Sequence, residues 1–148
     1  MERFPRSINE RRVFVDTSAF LAITDHNDNN HREARFVVDR LVMGRYRLYA
    51  TMYVAVETHA SILRAMNPSA ARQFLVAGLS AVSLLPTTNE DEDKAKTLIL
   101  QRRDKDYSLC DAISFSVMER YGLYLAFAFD DHFRQHGFST PLGQPTWP

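Results

Sequence analysis

The sequence predicts an α/β domain of three layers, with helices packed on both faces of a central parallel sheet of four to five strands. Two observations carry that expectation. Strand and helix signals alternate along the whole chain, and the strand-like runs are short, apolar and β-rich, as buried parallel strands are. A third follows from size: 148 residues make one domain that buries about two-thirds of its unfolded surface.

The elements follow in order. Arg12 to Asp16 reads as a buried strand, and a helix starts at Thr17 or Ser18. His31 to Met43 is amphipathic, with Ala34, Val37, Val38, Leu41 and Val42 on its stripe, and Gly44 ends it. Arg45 to Ala50 is the second strand, followed by a helix from about Thr51 to Met66. Asn67-Pro68 caps and opens another helix, with Ala71, Phe74, Leu75 and Leu79 as its buried face. Ala81 to Leu85 is a third strand, stopped by Pro86. Thr88 begins a helix with acids Glu90 to Asp93 first and Arg102, Arg103 and Lys105 last, an order that complements the helix dipole. The acid run reads as a solvated helix start. Ser108 caps a helix to about Tyr121 that Gly122 ends, and Leu123 to Phe129 is the fourth strand. A short helix follows Asp130, and the tail from Phe138 to Pro148 adds an edge strand or lies on the surface. The expected organisation is thus a single domain over 1–148, with an extension at 1–11.

Composition excludes several classes. Charged residues make up 24% and hydrophobic residues 45%, ordinary for a soluble protein. No apolar stretch reaches the roughly 18 residues of a membrane span, and Met1 to Arg12 lacks a signal-peptide core. The single cysteine, Cys110, excludes an internal disulfide framework and points to the cytoplasm; core packing suits it better than a nucleophile's role. With 18 basic and 18 acidic residues the chain is neutral overall, against a domain that coats nucleic acid by charge alone. Setting four acids aside as metal ligands leaves 18 basic against 14 acidic residues.

Those four acids are the chemistry-bearing residues. Asp16 and Asp130 end apolar strands, and open α/β sheets bind ligands at the carboxyl ends of their strands. Asp16 can cap a helix, yet Thr17 and Ser18 are already available for that. Asp130 shares its position with Asp131, either of which can be cap or ligand. Asp111 fits a capping box with Ser108, and it also opens a helix with no charge from Ala112 to Met118. Glu57 borders the stripe Tyr53, Val56, Ala60 and Leu63, about two turns past the second strand. Carboxylates about 4 Å apart repel by roughly 4 kcal/mol per pair at an effective dielectric of about 20. A convergent set therefore needs a divalent cation or raised pKa values. A magnesium-type site is the expectation. His132 and His136 are spaced like a zinc pair but lack the glutamate that follows the first histidine of such helices, and there is no phosphate-binding glycine loop.

The set resembles the PIN domain family, and within it VapC-type toxins. The matching pieces are Val15-Asp16-Thr17-Ser18-Ala19-Phe20, Glu57-Thr58, Ser108-Leu109-Cys110-Asp111-Ala112-Ile113-Ser114-Phe115 and Phe129-Asp130-Asp131-His132-Phe133. The resemblance implies Mg²⁺ or Mn²⁺ held by Asp16, Glu57, Asp111 and Asp130, with Thr17 or Ser18 supporting the site. It implies a cytoplasmic endoribonuclease that leaves 5′-phosphate and 3′-hydroxyl ends, an antitoxin partner, and a homodimer. Asp16 and Asp111 are the expected direct ligands. Arg32, Arg35, Arg45, Arg47, Arg102, Arg103 and Lys105 are candidates for phosphate contacts. The competing readings are a stand-alone PIN nuclease in RNA processing, a phosphoryl-handling enzyme with Asp16 as nucleophile, and a non-catalytic interaction module.

Overall fold

A computed structural model describes residues 11–142, so the extension before Arg11 and the tail from 143 onward lie outside the described residues. Four strands form one wholly parallel sheet in the order β3-β2-β1-β4. They are β1 (Arg12–Val15), β2 (Arg47–Ala50), β3 (Ser83–Leu84) and β4 (Ala126–Phe127). Parallel strands need crossovers, and helices supply them: α1 (Thr17–Thr24), α2 (His31–Met43), α3 (Met52–Ala65), α4 (Pro68–Gln73), α5 (Asn89–Gln101), α6 (Leu109–Tyr121) and α7 (His132–Gln135). Val13, Phe14 and Val15 are at most 2% exposed. Successive strand side chains point to opposite faces, so both faces of β1 are covered.

The fold class agrees with the sequence expectation; the differences lie at boundaries and on helix faces. The fourth strand pairs only at Ala126 and Phe127, and a single parallel bridge from Leu125 to Ser139 continues the sheet toward the tail. Arg45 is not in β2 but turns the chain at φ 55°, while Gly44 stays right-handed, its Cα pressed so close to the Tyr46 ring that a Cβ would sit 2.9 Å from it. β3 is two exposed residues rather than five. After α4 the backbone widens into one π turn (Phe74–Gly78) and a 3₁₀ turn (Leu79–Ala81), which rotates Leu75 out to solvent while Phe74 stays buried. Val42 is likewise exposed.

Helix α3 is the clearest reversal. The stripe Tyr53, Val56 and Leu63 faces solvent, and the buried face is Val54, Ala55, Thr58 and Ile62. Counting apolar residues favoured the first set; a buried threonine and a small alanine mark the second. Helix α6 is as expected. Every residue from Asp111 to Met118 is buried, Ser108 and Asp111 form a reciprocal capping box, and Gly122 closes the helix at φ 67°.

The acids at the start of α5 are not all solvated. Asp91 is 2% exposed, in a capping box with Thr88. Its carboxylate also accepts from Ser116 Oγ at 2.8 Å and from Arg120 Nη2 at 2.8 Å, which ties α5 to α6. Burial works against that charge, but the Arg120, Thr88 and Ser116 hydrogen bonds hold its pKa well below the usual carboxylate range. Arg102, Arg103 and Lys105 fall beyond the end of α5, in the loop that leads to α6.

Candidate metal centre

The sheet order places the acids. From β1 the chain adds β2 and β3 on one side and returns to add β4 on the other, so the topological switch point lies between β1 and β4. Val15 pairs with Phe127, and the Asp16 amide donates to Phe127 O at 3.0 Å, so the two strands end together. Asp16 leaves β1 there, and Asp130 follows β4.

Each acid is fixed locally. Asp16, 3% exposed, is itself the N-cap of α1. Its Oδ2 accepts from the Ser18 amide at 3.1 Å and from Ser18 Oγ at 2.7 Å. Capping and site-facing are therefore one role, not alternatives, and the expectation that Thr17 or Ser18 would cap in its place is corrected. Ser18 Oγ accepts in turn from the Phe129 amide at 2.9 Å, which couples the β1 and β4 ends. Thr17 Oγ1 accepts from Thr58 Oγ1 at 3.2 Å, linking α1 to the residue beside Glu57. Asp111 accepts from the Ser108 amide at 3.1 Å. The same Oδ2 lies 2.7 Å from His132 Nδ1. Asp130 accepts from the His132 amide at 3.1 Å, whereas Asp131 is exposed and pairs with Arg134.

The structure thus gathers Asp111, Asp130 and His132, whose ligand atoms lie within 4.8 Å of one another. Asp16 adjoins this group, near enough for the charges of Asp130 and Asp111 to act on its carboxyl. Glu57 is half-buried and is not part of that group, though it is close enough to the Cys110 thiol for its charge to act on it. His132 was not among the residues selected from sequence; its signal was adjacency to the Asp130-Asp131 pair. It does not form a pair with His136, which stacks on the Phe115 ring and reaches Glu119. Arg45 and Arg47 stand at the amino end of β2, the opposite edge of the sheet from Asp16. A cavity of about 550 Å³ lined by Phe20, Val38, Leu41 and Phe74 contains none of the four acids, so it does not carry the chemistry.

Electrostatics follows from the geometry. Burial, then the charges of Asp130 and Asp111, push the Asp16 carboxyl up to about 7 against the Ser18 hydrogen bonds. Asp130 is also raised, by burial and by Asp111. Burial acts to lower the His132 pKa, but the Asp111, Asp130 and Asp106 carboxylates outweigh it and hold it above the ordinary histidine value. Burial pushes the Cys110 thiol up, helped by Glu57, Asp16 and Asp111, so it stays protonated. Carboxylates this crowded fit a hard divalent cation, whose charge offsets both the burial and the repulsion that raise Asp16. One expected result is that proton and metal compete. Apparent metal affinity should rise up to about tenfold per pH unit below about pH 7 and flatten above it, measured by calorimetric titration between pH 5.5 and 8.5. A pH-independent affinity would contradict this.

Comparison with known proteins agrees with the fold. The family model for the PIN domain matches residues 13–139. The chain is 31% identical over 128 residues to the 23S rRNA-specific endonuclease VapC20 of Mycobacterium tuberculosis, covering 85% of this chain and 95% of that protein. The crystal structure of M. tuberculosis VapC20, a Sarcin-Ricin loop cleaving toxin, superposes with a TM-score of 0.76 at 28% identity, over 85% of this chain and 95% of that one. VapBC2 from Rickettsia felis bound to a promoter DNA fragment shares the fold, with a TM-score of 0.66 at 11% identity over 87% and 96% of the two chains.

Proposed function

This chain belongs to the PIN domain family, and from that premise we propose that it is a metal-dependent endoribonuclease, the toxin of a toxin–antitoxin pair. The observation that carries the reading is the meeting of Asp16, Asp111 and Asp130 at the switch point of the sheet, three acids from separate elements brought to one place. Mg²⁺ or Mn²⁺ is the proposed ion. When bound, it supplies polarisation of the scissile phosphate and a lowered pKa for the attacking water.

The chain's own residues supply position and charge. Asp16 and Asp111 are the proposed direct ligands, both buried and both locked by hydrogen bonds to Ser18 and Ser108. Glu57 and Asp130 are the proposed groups that orient water or hold a second ion. Thr17 supports the site through Thr58. Arg102, Arg103 and Lys105 occupy the loop between α5 and α6, which also carries Asp106 beside His132; they are the proposed phosphate contacts.

The relative's name supports a ribosomal RNA substrate and a role as toxin, which implies a cognate antitoxin and a cytoplasmic site of action. Among the described residues no helix is long and apolar enough to cross a membrane. The test is direct. Purified protein with Mg²⁺ or Mn²⁺ should cut 23S rRNA at discrete positions, leaving 5′-phosphate ends, and chelation should stop it. Intact RNA under every metal condition would defeat the proposal.

A further inference from the structure

The imidazole of His132 sits in an arrangement that four acids alone do not explain. Nδ1 is 2.7 Å from Asp111 Oδ2 and 3.9 Å from Asp130 Oδ1, and Nε2 is 3.1 Å from Asp106 Oδ1. A neutral imidazole carries one proton. If Asp106 takes it, through Nε2–H, the Nδ1 lone pair faces a carboxylate oxygen at hydrogen-bond distance. That approach needs a positive charge between the two atoms, either a second ring proton or a metal ion, and the proton is what a bound ion would displace. The three ligand atoms of Asp111, Asp130 and His132 lie within 4.8 Å of one another. Ligands about 2.0–2.2 Å from one ion stand roughly 3–4 Å apart; the 3.9 Å from Nδ1 to Asp130 is on that scale, and the 2.7 Å to Asp111 has to open by a few tenths of an ångström to admit the ion. A ligating histidine commonly donates its other ring N–H to a carboxylate, which fixes the tautomer and the ring orientation. Asp106 stands in that place.

We propose that His132 Nδ1 is itself a ligand of the divalent ion, with Asp106 as the carboxylate that orients it. The inference rests on the metal-dependent nuclease reading and adds a donor outside the acid set. A nitrogen donor changes the preference of the centre. Mg²⁺ favours oxygen, whereas imidazole suits transition ions, so Mn²⁺ should be favoured over Mg²⁺ beyond what carboxylates alone give.

The test loads the full chain with Mn²⁺ and reads direct nitrogen coordination by pulsed electron paramagnetic resonance, alongside calorimetric affinities for both ions. The expected result is a ¹⁴N coupling in the unsubstituted protein that disappears in His132→Asn, with Mn²⁺ binding at least about tenfold weaker and Mg²⁺ binding changed less. Asp106→Asn, at a side chain 92% exposed and no threat to folding, should keep the coupling while weakening Mn²⁺ binding by up to about tenfold. Mn²⁺ bound without any nitrogen coupling, or a coupling that survives in His132→Asn, overturns the inference. The nuclease reading survives that result, because it needs only the carboxylates. If Mn²⁺ fails to bind and RNA is not cut, both fall together.

Discussion

Asp16→Asn should abolish metal-dependent RNA cleavage and, in the same protein, raise the melting temperature of the metal-free form. The loss follows from charge. Removing one fixed anion or dipole aimed at a reacting centre costs roughly 10²–10³ in rate, and Asp16 is a proposed direct ligand of the ion. The gain follows from burial. The Asp16 carboxyl titrates at about 7 when folded, against an ordinary aspartate value near 3.9. The native state therefore holds a proton that the unfolded chain releases between about pH 4 and 7, and stability falls as pH rises through that window. Replacing the charge relieves a penalty of about 2–4 kcal/mol above pH 7. Asparagine also caps helices as well as aspartate, so the hydrogen bond from the Ser18 amide survives. Thermal denaturation in chelator, at pH 5 and pH 8, should show the variant stabilised mainly at pH 8. A variant that is inactive but destabilised at pH 8 would mean Asp16 is structural.

Arg120→Ala should be the most damaging substitution away from the site. It leaves Asp91, 2% exposed, without its cationic partner, and breaks the hydrogen bond from Arg120 Nη2 to Pro86 O at 2.6 Å. Breaking a buried pair on one side typically costs about 3–5 kcal/mol. Here Arg120 is 36% exposed and Thr88 and Ser116 still hold the carboxylate, so the expectation is roughly 2–3 kcal/mol, or about 5–10 °C in a domain of this size. The pH dependence has the opposite sign to that of Asp16. The Asp91 pKa is depressed in the fold, so its stabilisation is complete above the ordinary aspartate value near 3.9 and is lost as pH falls through its lowered folded value. Acid titration should therefore separate Arg120→Ala from the unsubstituted protein least at the lowest pH. Equal melting temperatures at pH 7 would refute the assignment.

The sheet, its parallel sense and the helix order were legible because buried strands and amphipathic helices obey simple periods. What sequence could not show was which side of a helix the rest of the chain would cover. On α3 the apolar count pointed to Tyr53, Val56 and Leu63, yet the core took Val54, Ala55, Thr58 and Ile62, the face on which Thr58 donates a hydrogen bond to Thr17 of α1. The acids at strand ends stood out as chemistry because nothing nearby neutralised them. Asp91 looked like the rest of an acidic run, since its partner Arg120 is 29 residues away. His132 was passed over for a similar reason: its meaning comes from Asp106, 26 residues earlier, and from Asp111.

The outermost strand on the β2 side consists of Ser83 and Leu84, with Pro86 just beyond. An intruding chain that tried to extend the sheet there would find two residues of free backbone to pair with, followed by a ring that cannot donate. Fibre growth through this rim therefore has almost nothing to zip onto.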